Sequence, residues 1–136
     1  TFLAFTAAAE TLTIAVASNF AKPMSEIALA FEQSSGHKVR LAFASSGKLT
    51  AQILQGAPFQ AFFSADEHKP ALLVARGLAT AESRFTYALG GLALWSKDGT
   101  RDPELVLRSG EYNRLALANP RLAPYGHAAK EVLSRL

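Results

Sequence analysis

Strand-like and helix-like segments alternate along the first 77 residues of this 136-residue chain. Between the first two apolar runs, apolar residues recur from Phe20 to Phe31 at offsets of 4, 7, 8 and 11, and Gly36 follows as a helix stop. Asp66 is predicted to cap a later helix that stops at Gly77. The order β-α-β-α-β-α favours a parallel sheet with helices on its faces and right-handed crossovers. The apolar runs that predict its strands are residues 12–17, 39–44 and 60–66.

Two of these strands end in polar turns that lead into helices. Ser18-Asn19 follows the first strand, and Ser45-Ser46-Gly47 follows the second. The first N–H groups of a helix have no partner within the helix, and neighbouring hydroxyls add further donors. Because ligands of parallel sheets bind beyond the carboxyl ends of the strands, both turns predict a seat for an anion. The alternative is that Ser18 and Ser46 only cap their helices.

The second half of the chain has a different character. Residues 85–96 form a long extended run interrupted by Gly90-Gly91, which we interpret as a crossing strand with a glycine hinge. A hairpin or an edge strand is the alternative. Asp102-Pro103 predicts the start of a helix, Leu115–Ala118 predicts a strand, and a last helix after residues 123–126 is expected to run to the end of the sequence.

These patterns predict three regions. Residues 1–9 are uncharged, mostly apolar and end in small residues before Glu10, as does the tail of a secretory signal peptide; a buried strand is the alternative. Residues 10–88 are predicted to form a first α/β lobe, and residues 89–136 a crossing strand and the start of a second lobe. Because such a second lobe is too small to stand alone, we expect either a longer two-lobed protein, of which this chain is the amino-terminal part, or a second chain that completes the lobe. The signal-peptide interpretation predicts that the protein is exported.

Several other functions are disfavoured by the sequence. The net charge of +3 comes from scattered basic residues, which argues against nucleic acid as a partner. The chain has no cysteine, and its three histidines lack ligand-like spacing, so no metal site is expected. Ser46-Gly47-Lys48 is not a phosphate-binding P-loop, because the motif needs glycine at Ala42 and a hydroxyl at Leu49. A Gly-x-Ser-x-Gly elbow, as in serine hydrolases, does not occur.

Five short motifs in order resemble the periplasmic molybdate-binding proteins of ABC importers, over residues 12–136. The resemblance implies the type II periplasmic-binding-protein fold, in which two α/β lobes close over a tetrahedral oxyanion, with the second lobe incomplete in this chain. It also implies a periplasmic receptor without enzymatic activity or cofactor that delivers its ligand to a membrane permease. The motifs are Ala17-Ser18-Asn19-Phe20, Ser45-Ser46-Gly47, Phe62-Phe63-Ser64-Ala65-Asp66, Arg84-Phe85-Thr86-Tyr87-Ala88, and Asn119-Pro120 followed by Ala123-Pro124-Tyr125-Gly126.

The same resemblance implies the ligand and its donors. Molybdate or tungstate would accept hydrogen bonds from Ser18, Asn19 and Ser46 of the first lobe, and from the phenol of Tyr125 in the second. The molybdenum is then held as an oxyanion, without direct protein–metal bonds. A receptor of the same fold for sulfate or phosphate is the alternative, since backbone donors alone do not exclude those anions.

Overall fold

The computed structural model describes residues 10–97 and 99–136, and the chain divides into two compact units between Arg84 and Phe85. The predicted boundary between the lobes lies four residues later, after Ala88. The predicted signal-peptide remnant, residues 1–9, lies outside the described residues.

The first unit is built on a three-stranded parallel sheet. Its strands are β1 (Thr11–Ala17), β2 (Lys38–Ala44) and β3 (Ala61–Phe63), in the order β2-β1-β3. Ala17 is paired with Ala44, and Val16 with Phe63, so all three strands end at the same edge. Gln60, directly before β3, extends the pairing with β1 through two hydrogen bonds. Its N–H donates to the Thr13 carbonyl, and its side-chain oxygen accepts from the Thr13 N–H. The predicted parallel α/β sheet is confirmed.

Helices follow each strand of the first unit, as the alternation predicts. The longest is α1, and Gly36 ends it in the left-handed conformation at φ 74°, which a residue without Cβ adopts at little cost. The helical segments are a 3₁₀ turn at Ser18–Phe20, α1 (Ala21–Ser35), α2 (Ser46–Leu54), α3 (His68–Ala75) and a 3₁₀ turn at Ala81–Ser83. The buried apolar residues between helices and sheet are Ala15, Val16, Ala17, Met24, Ala28, Leu49 and Leu73.

The start of α3 differs slightly from the prediction. The helix begins at His68, so its capping position is Glu67, whose side chain makes no capping bond. Asp66 still accepts a hydrogen bond from the Lys69 N–H, at 2.9 Å, from one residue further back. The predicted contact with the first helical turn is therefore present, although the position assigned to Asp66 was one residue off.

The second unit contains α4 (Pro103–Ser109) and α5 (Pro124–Leu133). Asp102 caps α4 as predicted, since its carboxylate accepts from the Glu104 N–H at 2.8 Å and Pro103 occupies the first helical position. The last helix ends at Leu133 rather than continuing to the end of the sequence.

The two strands predicted for this second unit do not form in its described residues. Both segments, 85–96 and 115–118, are without assigned strand structure there. Their apolar side chains are largely exposed, with Leu89 reaching 94%. A strand needs a hydrogen-bonded neighbour as well as a suitable sequence, and the described part of this unit offers none.

Candidate functional site

Three polar turns meet at one edge of the sheet in the first unit. Because Ala17 lies opposite Ala44, the residues that follow β1 and β2 emerge side by side. The pairing of Val16 with Phe63 brings the turn after β3 to the same edge, on the other side of β1. The carboxyl ends of the strands thus gather Ser18 and Asn19, Ser45 and Ser46, and Ser64 to Asp66, as expected for ligand sites on parallel sheets.

The turn after β1 presents Ser18 and Asn19 to solvent. Both are exposed, and they form the first two positions of the 3₁₀ turn Ser18–Phe20. The capping position belongs to Ala17, and no side chain makes a capping bond, so the alternative in which Ser18 caps its helix is not what the structure has. The ring of Phe20 stacks on Phe63, with centroids 6.4 Å apart, and so holds this turn against β3.

The turn after β2 divides its tasks between two adjacent serines. Ser45 is the cap of α2, because its side chain accepts from the Lys48 N–H at 3.4 Å. Ser46 is the first helical residue, so capping is not its role, and only 1% of it is exposed. An N–H at the first position of a helix points away from the helical carbonyls, so the Ser46 N–H has no partner within α2.

Contacts on two sides fix the orientation of Ser46. Its Oγ accepts from the Ala65 N–H at 3.0 Å, and its carbonyl accepts from the Thr50 hydroxyl at 2.8 Å. A serine hydroxyl has one donor and two acceptor sites, so accepting from Ala65 leaves the hydroxyl proton for another partner. The bond to Ala65 also joins the β2–α2 turn to the β3–α3 turn, past the end of β1.

The turn after β3 is the part of this edge that the sequence analysis did not assign to the site. Ser64 is buried, and the Asp66 N–H donates to its Oγ at 3.3 Å. The carboxylate of Asp66 also forms an ion pair with the Lys69 ammonium, which offsets the negative charge of Asp66. The signal that could have indicated this turn is the one used for the other two, a serine directly after a parallel strand.

Tyr125 lies in the second unit, whereas Ser18, Asn19 and Ser46 lie in the first. It is the second residue of α5 and is half-buried. Its phenol lies against the backbone of Gly90, where a Cβ atom would be 3.0 Å from the tyrosine Cζ. Burial, and to a smaller degree the neighbouring Tyr125, raise the pKa of Tyr87 above 10.0, so two phenols lie close together in this unit.

Lys48, on the first turn of α2, is exposed. Residues 10–97 and 99–136 contain no group of three or more histidine, aspartate and glutamate side chains that could hold a metal ion. None of the helices in that part of the chain has the length and apolar character needed to cross a bilayer.

The chain is similar to known proteins in both sequence and structure. The chain is 46% identical to the molybdate-binding protein ModA of Azotobacter vinelandii and 46% identical to that of Rhodobacter capsulatus, in each case over 98% of this chain and 54% of the relative. Superposition on the solved Azotobacter vinelandii periplasmic molybdate-binding protein gives a TM-score of 0.83 at 42% identity, covering 90% of this chain and 54% of that one.

These similarities confirm the resemblance and the fold class inferred from the motifs. The chain spans about half the length of the curated relatives it matches, at 54%. The family model described as "bacterial extracellular solute-binding protein" matches residues 12–136, which is nearly the whole of the sequence. The chain therefore belongs to the family of bacterial extracellular solute-binding proteins.

Proposed function

We propose that this chain is part of a periplasmic receptor that captures molybdate or tungstate for an ABC importer. The observation that carries the proposal is the register of β1 and β2, which brings the Ser18–Asn19 turn and the Ser46 turn to one sheet edge. The names of the two relatives at 46% identity support molybdate as the anion. Sulfate and phosphate receptors of the same fold remain the alternative that an experiment has to separate.

Neutral donors are sufficient to hold the dianion in this proposal. The candidates in the first unit are the hydroxyls and N–H groups of Ser18 and Ser46, and the N–H and side chain of Asn19. Each hydrogen bond to a charged oxygen contributes on the order of 1.5–3 kcal/mol. The partial positive charge at the start of α2 adds to this attraction. An arginine or lysine side chain is not required, and no cofactor takes part.

Tyr125 is the proposed donor from the second unit. Its phenol hydroxyl would donate to an oxygen of the anion when the two lobes close over it. Binding of this kind leaves the anion chemically unchanged, which suits a receptor better than an enzyme. The proposed partner is the membrane permease of the importer, and the proposed location is the periplasm, in line with the name of the solved relative.

The fixed position of the Ser46 hydroxyl supports selection between oxyanions by their size. Because its hydroxyl is buried and already bonded to the Ala65 N–H, Ser46 cannot follow a smaller anion inward without losing that bond. Molybdate and tungstate have longer bonds to oxygen than sulfate or phosphate. Donors set for the larger anions would leave the smaller ones with stretched hydrogen bonds, which weaken steeply with distance and angle.

Calorimetric titration of the full-length natural protein with molybdate, tungstate, sulfate and phosphate tests the proposal. We expect the first two anions to bind clearly more tightly than the last two, and the preference to persist at high salt, because short hydrogen bonds rather than long-range charge provide the affinity. Equal or tighter binding of sulfate or phosphate would favour the alternative receptor. Absence of binding by all four anions would refute the proposal.

A further inference from the structure

Tyr125 approaches the backbone at a position where only glycine leaves room. A Cβ atom built on Gly90 would collide with the Tyr125 hydroxyl oxygen and lie 3.0 Å from the ring carbon that carries it. The backbone of Gly90 is not the reason for a glycine here, since its φ lies outside the left-handed region that Gly36, Gly56, Gly77 and Gly110 occupy. Glycine at position 90 therefore provides space for the phenol.

The backbone next to Tyr125 also makes a close contact. Gly126, the next residue along, is buried, and a Cβ there would lie 2.7 Å from the carbonyl carbon of Ala118 and 2.8 Å from that of Asn119. The first turn of α5 is thus pressed against the chain at residues 118–119. The backbone of α5 thus sets the position of the Tyr125 Cα, and the phenol hydroxyl lies against Gly90.

We propose that Gly90 is a positioning residue that sets the direction of the Tyr125 hydroxyl toward the anion. This inference rests on the function proposed above and concerns the donor assigned there to the second unit. The segment that carries Gly90 also carries Tyr87, and the phenol of Tyr125 contributes to the raised pKa of Tyr87. The segment 87–90 therefore borders the donor at two points, whereas the neighbouring Gly91 has no atom within 4 Å of its Cβ direction.

Gly90→Ala should displace the hydroxyl without unfolding the unit. The colliding atom is the far end of a side chain, so rotation of the tyrosine relieves the overlap, and the backbone conformation at position 90 suits alanine. The rotated hydroxyl no longer meets the anion. We expect the Kd for molybdate to rise about 10- to 150-fold, as after loss of one charge-assisted hydrogen bond.

A double-mutant cycle in the full-length natural protein tests this inference. Gly90→Ala, Tyr125→Phe and the combined variant are compared by molybdate titration and thermal unfolding, with Gly91→Ala as the matched control. If Gly90 acts through the Tyr125 hydroxyl, Gly90→Ala weakens binding in the natural sequence and adds no further loss when Tyr125 is phenylalanine. Gly91→Ala should bind like the natural protein.

Two results would overturn the inference while leaving the proposed function intact. One is an unchanged affinity of Gly90→Ala, and the other is an equal loss of affinity with and without the Tyr125 hydroxyl. A natural protein that binds no molybdate would instead refute the proposed function. In that case the alkaline titration of the tyrosine phenols, followed by ultraviolet absorbance, still tests the positioning: it should differ between Gly90→Ala and Gly91→Ala, and identical curves would overturn it.

Discussion

Ser46→Ala should weaken both the fold and the binding of the anion, by amounts that the contacts of Ser46 allow us to estimate. Its Oγ is the acceptor for the part-buried Ala65 N–H at 3.0 Å. Loss of that acceptor should lower the free energy of unfolding by about 1 kcal/mol. The substitution also removes a proposed donor to the oxyanion, which contributes on the order of 1.5–3 kcal/mol and corresponds to a rise in Kd of about 10- to 150-fold.

Ser45→Ala provides the matched control for this experiment. The two serines are adjacent, but Ser45 caps α2 through its bond to the Lys48 N–H, and only Ser46 is a proposed ligand donor. Loss of the cap should lower stability by about 0.5–2 kcal/mol, with little change in Kd. Both quantities are measured on the same samples, by urea unfolding and by calorimetric titration with molybdate. The reasoning fails if Ser46→Ala leaves Kd unchanged, or if Ser45→Ala raises it as much.

Three further predictions concern stability. Met24→Ala should lower the free energy of unfolding by about 2–5 kcal/mol, because Met24 is 2% exposed, whereas Ile27→Ala on the exposed side of α1 should cost far less; similar losses in urea unfolding would contradict the observed burial of these two side chains. Gly36→Ala should lower stability by about 1–2 kcal/mol because of its positive φ, and an unchanged melting temperature would argue against that conformation. Folding raises the pKa of Tyr87 above 10.0, so the folded protein still holds the phenol proton at a pH where the unfolded chain has lost it. The free energy of unfolding should therefore fall as the pH rises through about 10. Tyr87→Phe should flatten this decline, and an equally steep decline in the variant would contradict the raised pKa of Tyr87.

The first half of the fold is largely readable from sequence because each signal there is local. The spacing of apolar residues from Phe20 to Phe31 predicts the helix α1, and Gly36 supplies the left-handed stop that ends it. Of the predicted apolar face, Met24 and Ala28 are buried, whereas Ile27 and Phe31 are exposed. Two short apolar runs joined by that helix pair in parallel, as the alternation predicts. Strand and helix bounds in this region agree with the prediction to within about two residues, which is the usual uncertainty at element ends, except that β3 ends at Phe63, three residues before the end of the predicted run 60–66.

The remaining features depend on partners distant in sequence. Residues 85–96 have an extended, apolar sequence, but a sequence pattern does not supply the neighbouring strand that pairing needs. Adjacent serines illustrate the same limit within the candidate site. Nothing local distinguishes Ser45 as the cap from Ser46 as the first helical residue, and the contact from the Ala65 N–H to Ser46 spans 19 positions. Burial of Ser64 at the same edge likewise follows from the position of β3 in the sheet.

We infer that an oxyanion binds where the turns after β1 and β2 meet. Anomalous diffraction from crystals of the full-length natural protein grown with tungstate tests it most directly, because tungsten identifies its own position. We expect one strong tungsten peak at the carboxyl edge of the sheet, with tungstate oxygens about 2.7–3.2 Å from the donors of Ser18 and Ser46 and from the Tyr125 hydroxyl. A tungsten peak at a different surface, or one held by lysine or arginine side chains without these donors, would contradict it.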